Sequence, residues 1–353
     1  MVKVAINGFG RIGRISFRVL QERKDLQEKI ELVAINTSGS MPIEDWVHLL
    51  RHDTAYGRFR HKVSISQHQT PDKASDKDPL LGYISVHDKK YPILAQRDPG
   101  KLPWKKYQVD IVIDATGVFR TRQQAKPHIQ AGAKKVLISS PSKGGDIGTY
   151  VIGANEYQGK HDIADNASCT TNCIAPVAAI MHAKFGVNKA AMTTIHGYTD
   201  SQNLQDGSHK DMRRARAAAQ NIVPTTTGAA IATTKTLPEL QGLFDGIAVR
   251  VPTLVGSISD ITLLVKKKTT VDQVNQAFTD ATKNPLWKGI VAVTNSPLVS
   301  SDIIGTSESA IVDLSLTKVI DGDLVKIFAW YDNEWGYCNR LLEQAVNIGK
   351  VST

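Results

Sequence analysis

Cys169 lies in the run Ala167-Ser168-Cys169-Thr170-Thr171-Asn172-Cys173, with small and hydroxyl residues on both sides and an apolar, helix-like stretch after it. A cysteine at the opening turn of a helix sits in partial positive charge, which lowers a thiol's pKa and predicts a thiolate nucleophile at neutral pH. Cys173, one turn deeper beside Ile174 and Ala175, reads as an inert core thiol. The nucleophile needs a proton acceptor, which a histidine from elsewhere in the chain would supply. Of the ten histidines, His196 ends an apolar run at residues 189–195 just before Gly197, a strand-end position where reactive groups collect. His48, His52, His61 and His68 stand in polar, surface-like surroundings.

A second constellation is Gly8, Gly10 and Gly13, spaced Gly-x-Gly-x-x-Gly between a β-rich run and a helical stripe. The first glycine suits a tight turn, the second lets a pyrophosphate approach the backbone, and the third permits close packing of helix on strand, with the helix N-terminus favouring phosphate charge. Strand, turn and helix in this order predict dinucleotide binding. In NAD-binding chains the next strand ends in an acid that bonds the ribose hydroxyls. Here residues 31–35 run into Asn36, Thr37, Ser38 and Gly39, all neutral, so nothing there repels a 2′-phosphate. NADP is therefore favoured, with NAD able to bind through the remaining contacts.

The elements that must position these groups divide the chain into two halves. Residues 2–6, 30–35, 110–114 and 135–138 are short β-rich runs with few charges, as expected of strands buried on both faces. Between them lie helix candidates at 12–22, with a stripe of Ile12, Ile15, Val19 and Leu20, and at 121–131, closed by Gly132. Residues 66–79 read as a solvated loop. The second half has a helix candidate at 169–184 stopped by Gly186, a strand at 189–196 and a polar stretch at 198–221. Strand-like runs follow at 247–251, 258–265, 310–316 and 325–330, with helices near 271–283 and 336–348. This pattern predicts an α/β chain in which a Rossmann-like dinucleotide-binding domain (1–168 and 333–353) joins an α+β catalytic domain (169–332) with a mostly antiparallel sheet.

Composition narrows the partners. With 41% hydrophobic residues, Gly 26 and Pro 14 among 353 residues, collagen-like, low-complexity and disordered readings are excluded. Lys+Arg 43 against Asp+Glu 34 gives +9, which favours nucleic acid, an anionic membrane or a small phosphorylated ligand. Three cysteines are too few for a disulfide framework and predict reduced thiols in the cytoplasm. No apolar run approaches the roughly 18 residues that span a bilayer, and the N-terminus opens on a strand pattern instead of a signal sequence, so a soluble protein without membrane contact is expected. No RNA-binding signature accompanies the charge and only 6% of residues are aromatic, leaving RNA or polyanion binding as a rival of another class and at most a side activity. No metal is expected in the chemistry.

Taken in order, the Gly-rich turn, the ASCTTNC block, TTIHGYTDSQ (193–202), HKDMRRARAAAQNIVPTTTGAA (209–230), AVRVPT (248–253) and WYDNEWGY (330–337) resemble the phosphorylating glyceraldehyde-3-phosphate dehydrogenases from Val2 to the last helix. The resemblance implies Cys169 as the nucleophile that forms a thiohemiacetal and then a thioester, and His196 as the base. It implies Thr199 and Arg250 for the substrate's C3 phosphate, and Ser168, Thr170, Arg214, Thr227 and Gly228 for inorganic phosphate. The product would be 1,3-bisphosphoglycerate. For the cofactor it implies Gly8, Gly10, Arg11, Ile12 and Gly13 at the pyrophosphate, Thr116 and Ser139 further along the site, and Asn333 with Tyr337 at the nicotinamide. The NADP-type departures are Thr37 in place of an acid, and Gly207-Ser208 where NAD-specific members carry Leu-Pro. Ser38 and Arg97 complete a set of donors for a 2′-phosphate. In the family's homotetramer the 198–221 stretch reaches an adjoining subunit, which would bring Ser208 to that subunit's cofactor. Erythrose-4-phosphate dehydrogenase shares the cysteine block and is the near alternative.

Overall fold

In the computed structural model, which describes residues 1–351, the first β-rich run is the Val2–Asn7 strand, and its Val4, Ala5 and Ile6 are wholly buried. It sits inside a nine-stranded sheet whose order is Gly148–Thr149, Ile163–Asp165, Lys135–Ile138, Ile111–Asp114, Val2–Asn7, Ile30–Thr37, Lys89–Ala95, Leu80–Val86, Val63–Gln67. Pairing is parallel as far as Lys89–Ala95, and the last two strands add an antiparallel edge. From Val2–Asn7 the chain goes first to Ile30–Thr37 on one side and later to Ile111–Asp114 on the other. That reversal opens a crevice at the carboxyl ends of the central strands, the place where such sheets bind ligands.

The Arg11–Glu22 helix buries Ile15, Phe17, Val19 and Leu20, as its stripe predicts. Arg122–Gln130 begins at Thr121, whose hydroxyl accepts from the Gln124 N–H while the Gln124 side chain returns to the Thr121 N–H. Loss of such a cap costs about 1 kcal/mol. The solvated loop expected at 66–79 starts two residues late, because Ser66 and Gln67 still pair with Tyr83 and Gly82. The remainder carries one 3-10 turn, Pro71–Lys73, and is tied down by His68–Asp78 at 2.8 Å and Lys101–Asp76 at 2.6 Å.

These elements form one compact unit, residues 1–150 and 157–166 plus the segment from Leu341 on; residues 151–156 and 167–340 form the other. The final helix, Trp335–Lys350, contributes to both. Within the first unit, buried Lys135 donates from Nζ to the Ile348 carbonyl near the end of that helix.

The second unit is built on an eight-stranded sheet ordered Val223–Thr226, Phe244–Val251, Val187–Gly197, Ser257–Val265, Leu324–Tyr331, Ala310–Asp313, Val291–Thr294, with Lys318–Ile320 also paired to Leu324–Tyr331. It is largely antiparallel; Val187–Gly197 with Phe244–Val251, and Val291–Thr294 with Ala310–Asp313, are the parallel pairs. Ile174, Val177 and Met181 of the Cys169–Phe185 helix and Val274 and Phe278 of the Val271–Ala281 helix pack with Ile261, Leu263 and Ile327 of the sheet in one core. Cys169–Phe185 stops at Gly186, whose φ of +67° few other residues adopt readily. Residues 314–316, expected as strand, close into a 3-10 turn. Between residues 198 and 221 the chain makes turns without helix or strand.

Candidate active site

Ser168 caps the Cys169–Phe185 helix: its hydroxyl accepts from the Thr171 N–H at 3.1 Å, which places Cys169 at the first helical position. The preceding Ala167 has a φ of +53°, an uncommon conformation for a residue with a side chain and one that gathers at functional sites. His196 arrives from Val187–Gly197, and its Nε2 is 3.4 Å from the Cys169 Sγ. On the other side of the ring, Nδ1 lies 2.6 Å from the Gly197 carbonyl. Arg250 Nη1 also stands 3.0 Å from Nδ1, but the carbonyl contact is the shorter one and a carbonyl only accepts, so Nδ1 carries the proton and Nε2 presents its lone pair to the sulfur. Arg250 holds the same corner through Nη1, which donates to the Gly197 carbonyl at 3.1 Å and to Thr199 Oγ1 at 3.3 Å.

Burial is the strongest influence on this pair. It pushes His196 down to about 3, with the Arg250 charge adding to the effect, while the hydrogen bond to Gly197 acts in the opposite direction. The Cys169 thiol is pushed up by burial, and the Arg250 charge, the Thr170 hydroxyl and backbone N–H groups pull it back only in part. The lowered thiol expected from the helix terminus is therefore corrected: in the ligand-free protein desolvation outweighs the dipole. An imidazole whose lone pair faces a thiol is ready to act as a base.

Arg250 is a half-buried cation, and among the described residues no carboxylate pairs with it; its Nε is buried without a partner. Desolvation and the like charge of Arg214 both lower its pKa, after which an anion is the natural complement. Arg214 is engaged differently, donating from Nε to Thr225 Oγ1 at 2.8 Å with Asp211 at 3.4 Å. Thr227 Oγ1 accepts from the Ala229 N–H at the start of Ala229–Thr236, and Gly228 beside it is exposed with no atom within 4 Å of an added Cβ. Asn333 accepts at Oδ1 from the Gly256 N–H and the Ser257 hydroxyl, which leaves its amide N–H groups as the face to offer a ligand. Tyr337 is buried and donates to the Ala167 carbonyl. Ser208 is exposed.

The first unit carries the glycine motif at the crevice. A Cβ on Gly8, where φ is +98°, would lie 2.9 Å from the Ala115 carbonyl carbon and the Thr116 nitrogen, and one on Gly13 would lie 2.0 Å from the Gly8 oxygen. Around a Cβ on Gly10 nothing lies within 4 Å. Two glycines are thus required by packing and the middle one faces open space at the N-cap of Arg11–Glu22, a cradle suited to a pyrophosphate. Ile12 follows Arg11 in the first turn, and Arg11 is paired with Asp53 at 2.5 Å. Thr116 donates to Asp114 Oδ1 at 2.6 Å, and Ser139 follows the Lys135–Ile138 strand.

At the second strand end the donors differ from expectation. Thr37 is 1% exposed and its hydroxyl donates to the Leu94 carbonyl at 2.9 Å, so it has no proton for a phosphate; its remaining contribution is to be uncharged. Ser38 is exposed with its hydroxyl 2.8 Å from that of Ser40. Thr37 pairs with Ala95, so Ser38 and exposed Arg97 follow adjacent strand ends. Asn36 joins those ends by bonding both backbone groups of Gln96.

Five residues escaped sequence reasoning. Tyr331, Thr194 and Ser259 lie buried behind Cys169, and sheet register alone brings them together. Asp211 and Thr225, which orient Arg214, carried no signal beyond their place in the polar stretch.

A family profile described as glyceraldehyde 3-phosphate dehydrogenase, NAD binding domain, matches residues 2–122, and one described as its C-terminal domain matches residues 168–333. The chain is 48% identical over 346 residues to glyceraldehyde-3-phosphate dehydrogenase A, chloroplastic, of Chlamydomonas reinhardtii, covering 98% of this chain and 88% of the relative. It is 48% identical over 348 residues to the chloroplastic form B of Pisum sativum, covering 98% and 73%. It is also 46% identical over 353 residues to glyceraldehyde-3-phosphate dehydrogenase 2 of Synechocystis, covering 99% of each.

Proposed function

The chain belongs to the glyceraldehyde-3-phosphate dehydrogenase family, and from that footing we propose that it runs the phosphorylating reaction with NADP as preferred cofactor and NAD as a second one. It is an oxidoreductase of glyceraldehyde 3-phosphate. The observation that carries the chemistry is the Cys169 sulfur 3.4 Å from the His196 Nε2, next to the half-buried Arg250 guanidinium, which no carboxylate among the described residues pairs with. His196 Nε2 takes the thiol proton and passes it to the aldehyde oxygen as the sulfur bonds the carbon, giving a thiohemiacetal. The Cys169 N–H supports the oxygen while it carries charge. His196 then accepts the hydroxyl proton as the carbon gives up a hydride, leaving a thioester. A bound nicotinamide supplies the two-electron acceptor for that hydride. An oxygen of inorganic phosphate attacks the thioester carbon, the C–S bond breaks, and 1,3-bisphosphoglycerate leaves Cys169 as thiolate.

Arg250 and Thr199 are assigned to the C3 phosphate, and Ser168, Thr170, Arg214, Thr227 and Gly228 to inorganic phosphate. Arg214, near enough for its charge to lower the pKa of Arg250, supports a site for two anions. Gly8, Gly10, Arg11, Ile12 and Gly13 are assigned to the pyrophosphate, with Thr116 and Ser139 beside them. Asn333 would bond the nicotinamide carboxamide through its free amide face, with Tyr337 nearby. The uncharged corner at Thr37, with Ser38 and Arg97 on adjacent strand ends, supports a 2′-phosphate. We assign the protein to a homotetramer in which Ser208 serves an adjoining subunit's cofactor, and to the cytoplasm, in keeping with three free thiols. Among the described residues no helix is long and apolar enough to cross a membrane. Steady-state kinetics with both cofactors test the preference: kcat/KM higher for NADP is expected, and a value well above it for NAD refutes the assignment.

A further inference from the structure

Across the carboxyl ends of three adjacent strands of the first unit runs a buried polar row. Trp104 Nε1 donates to His128 Nδ1 at 2.9 Å, and His128 Nε2 is 3.2 Å from Asp114 Oδ2. Asn7 Nδ2 donates to the same carboxylate oxygen at 2.8 Å, and Asn36 Nδ2 donates to Asn7 Oδ1 at 2.7 Å. The other oxygen of Asp114 accepts from the Thr116 N–H at 3.1 Å and from its hydroxyl at 2.6 Å. Trp104, His128, Asp114, Asn7 and Asn36 are all 3% exposed or less, so bulk water does not replace a lost partner. Asp114, Asn7 and Asn36 come from neighbouring strands, His128 from the Arg122–Gln130 helix, and Trp104 from the turn after Pro99–Lys101.

Both ends of the row have a fixed polarity, which assigns every proton between them. At one end an indole N–H only donates, so His128 accepts at Nδ1, is neutral, and carries its proton on Nε2, aimed at Asp114 Oδ2. The 3.3 Å approach of Asn7 Nδ2 to His128 Nε2 is then two donors converging on one oxygen, and no bond joins them. At the other end Asn36 donates from Nδ2 to the Gln96 carbonyl at 2.8 Å and accepts at Oδ1 from the Gln96 N–H at 3.0 Å. Those backbone groups settle the Asn36 amide, and through it the Asn7 amide. Asp114 therefore receives every proton directed at it and gives none, as a carboxylate does.

The row is framed by residues that the cofactor reading uses. The Thr116 nitrogen, beside the turn that Asp114 ties down, would be 2.9 Å from a Cβ on Gly8, and Asn7 immediately precedes Gly8. Asn36 precedes Thr37 and Ser38, and Gln96 precedes Arg97. We propose that His128, held in its Nε2–H form by Trp104, is a positioning residue for the dinucleotide: through Asp114 it fixes the Thr116 turn and the Asn7 amide, and so the Gly8 turn at the pyrophosphate. Neither His128 nor Trp104 presents surface to a ligand, since both are 0% exposed, so their effect on binding passes through the row. A buried carboxylate that loses a donor shifts towards those that remain. Every such shift of Asp114 carries Thr116 and Asn7 with it. Polar groups linked in a dry row also polarise one another, so loss of one link weakens the rest.

The inference rests on the reading that this crevice binds a dinucleotide, and the test separates the two. NADP and NAD are titrated calorimetrically into the ligand-free full-length protein. A wild type that binds neither sinks the cofactor reading and this inference with it, whereas the variants bear on His128 alone. His128→Leu fills the space without the proton, and its Kd for NADP should rise about 10-fold or more, the scale of one hydrogen bond to a charged group. Its KM for glyceraldehyde 3-phosphate and its kcat at saturating cofactor should stay within about 2-fold of the wild type, the split expected when only uniform cofactor binding is lost. His128→Gln, whose amide N–H replaces the Nε2 proton, should return the Kd to within about 3-fold of the wild type, on the same scale. Asp114→Asn should weaken NADP at least as much as His128→Leu, and the double variant no further, because His128 acts through Asp114. An unchanged Kd in folded His128→Leu, a His128→Gln as weak as His128→Leu, or additive losses in the double variant overturns the proposal. Should His128→Leu fail to fold, Trp104→Phe keeps a ring and removes the indole N–H. It should raise the Kd about 2–5-fold, the scale of one neutral bond, and an unchanged Kd overturns the proposal equally.

Discussion

Gly10 and Gly13 are three residues apart in one motif, yet their surroundings predict opposite consequences for the same added methyl group. In Gly13→Ala the new Cβ would sit 2.0 Å from the Gly8 oxygen, with the Gly8 carbonyl carbon at 3.1 Å and Ile6 Cγ2 at 3.3 Å. The obstructing atom is backbone, so no rotamer change relieves it, and the helix must move by roughly 1 Å off the strand it packs on. Overpacking of this kind costs about 3 kcal/mol or more, at the upper end of such substitutions. For a unit of this size that lowers the midpoint of thermal unfolding by about 6–12 °C. In Gly10→Ala the Cβ enters open space and φ is −69°, so the fold loses only a few tenths of a kcal/mol up to about 1 from a poorer N-cap. What it fills is the approach of the pyrophosphate, and displacing one charge-assisted hydrogen bond weakens binding by about 10–100-fold. Differential scanning calorimetry and isothermal titration with NADP read the two effects separately. Gly10→Ala should melt within about 4 °C of the wild type and bind the cofactor about 10–100-fold more weakly; Gly13→Ala should lose stability whether or not cofactor is present. Unchanged NADP affinity in Gly10→Ala, or an unchanged melting temperature in Gly13→Ala, refutes the assignment of roles within the motif.

Cys169→Ser should lower turnover by at least about 10³-fold in steady-state assays with cofactor binding intact, because the weaker nucleophile lacks a thiolate form. Arg97→Ala should reduce kcat/KM for NADP by about 10–100-fold, the worth of one charge-assisted hydrogen bond, with that for NAD within about 2-fold. His196 titrates at 6.5 when unfolded and near 3 when folded, so the unfolded chain binds the extra proton in that window. Its contribution to stability is full above pH 6.5 and is lost as pH falls towards 3, at about 1.4 kcal/mol per pH unit. Urea unfolding of His196→Asn should accordingly show a shallower loss of stability below pH 6.5 than the wild type does.

Much of the first unit was legible because its central strands are apolar on both faces and its glycines punctuate them. The antiparallel edge was not: Val63–Gln67 exposes most of its residues, so its pattern is that of a loop. The Ile43–Arg51 helix was readable in principle, since its buried Ile43, Trp46, Val47 and Leu50 follow helical spacing, but it is short and sits among charges. In the site, Cys169 and His196 could be chosen by local context, and the structure sets them in contact. Two electrostatic expectations failed for one reason, that burial and hydrogen-bond partners are set by distant segments. Burial raised the Cys169 thiol against the helix terminus, and the Leu94 carbonyl took the Thr37 proton. Tyr331 illustrates the same limit, because its partners lie 137 and 161 residues away along the chain.

The most direct test of the reaction is the rate of NADP reduction by the purified wild-type protein with D-glyceraldehyde 3-phosphate, measured as inorganic phosphate is added. Fast, sustained turnover should appear only with phosphate present, and erythrose 4-phosphate should be the poorer substrate. Turnover that is indifferent to phosphate, or faster with erythrose 4-phosphate, would contradict a thioester on Cys169 resolved by phosphate beside Arg214.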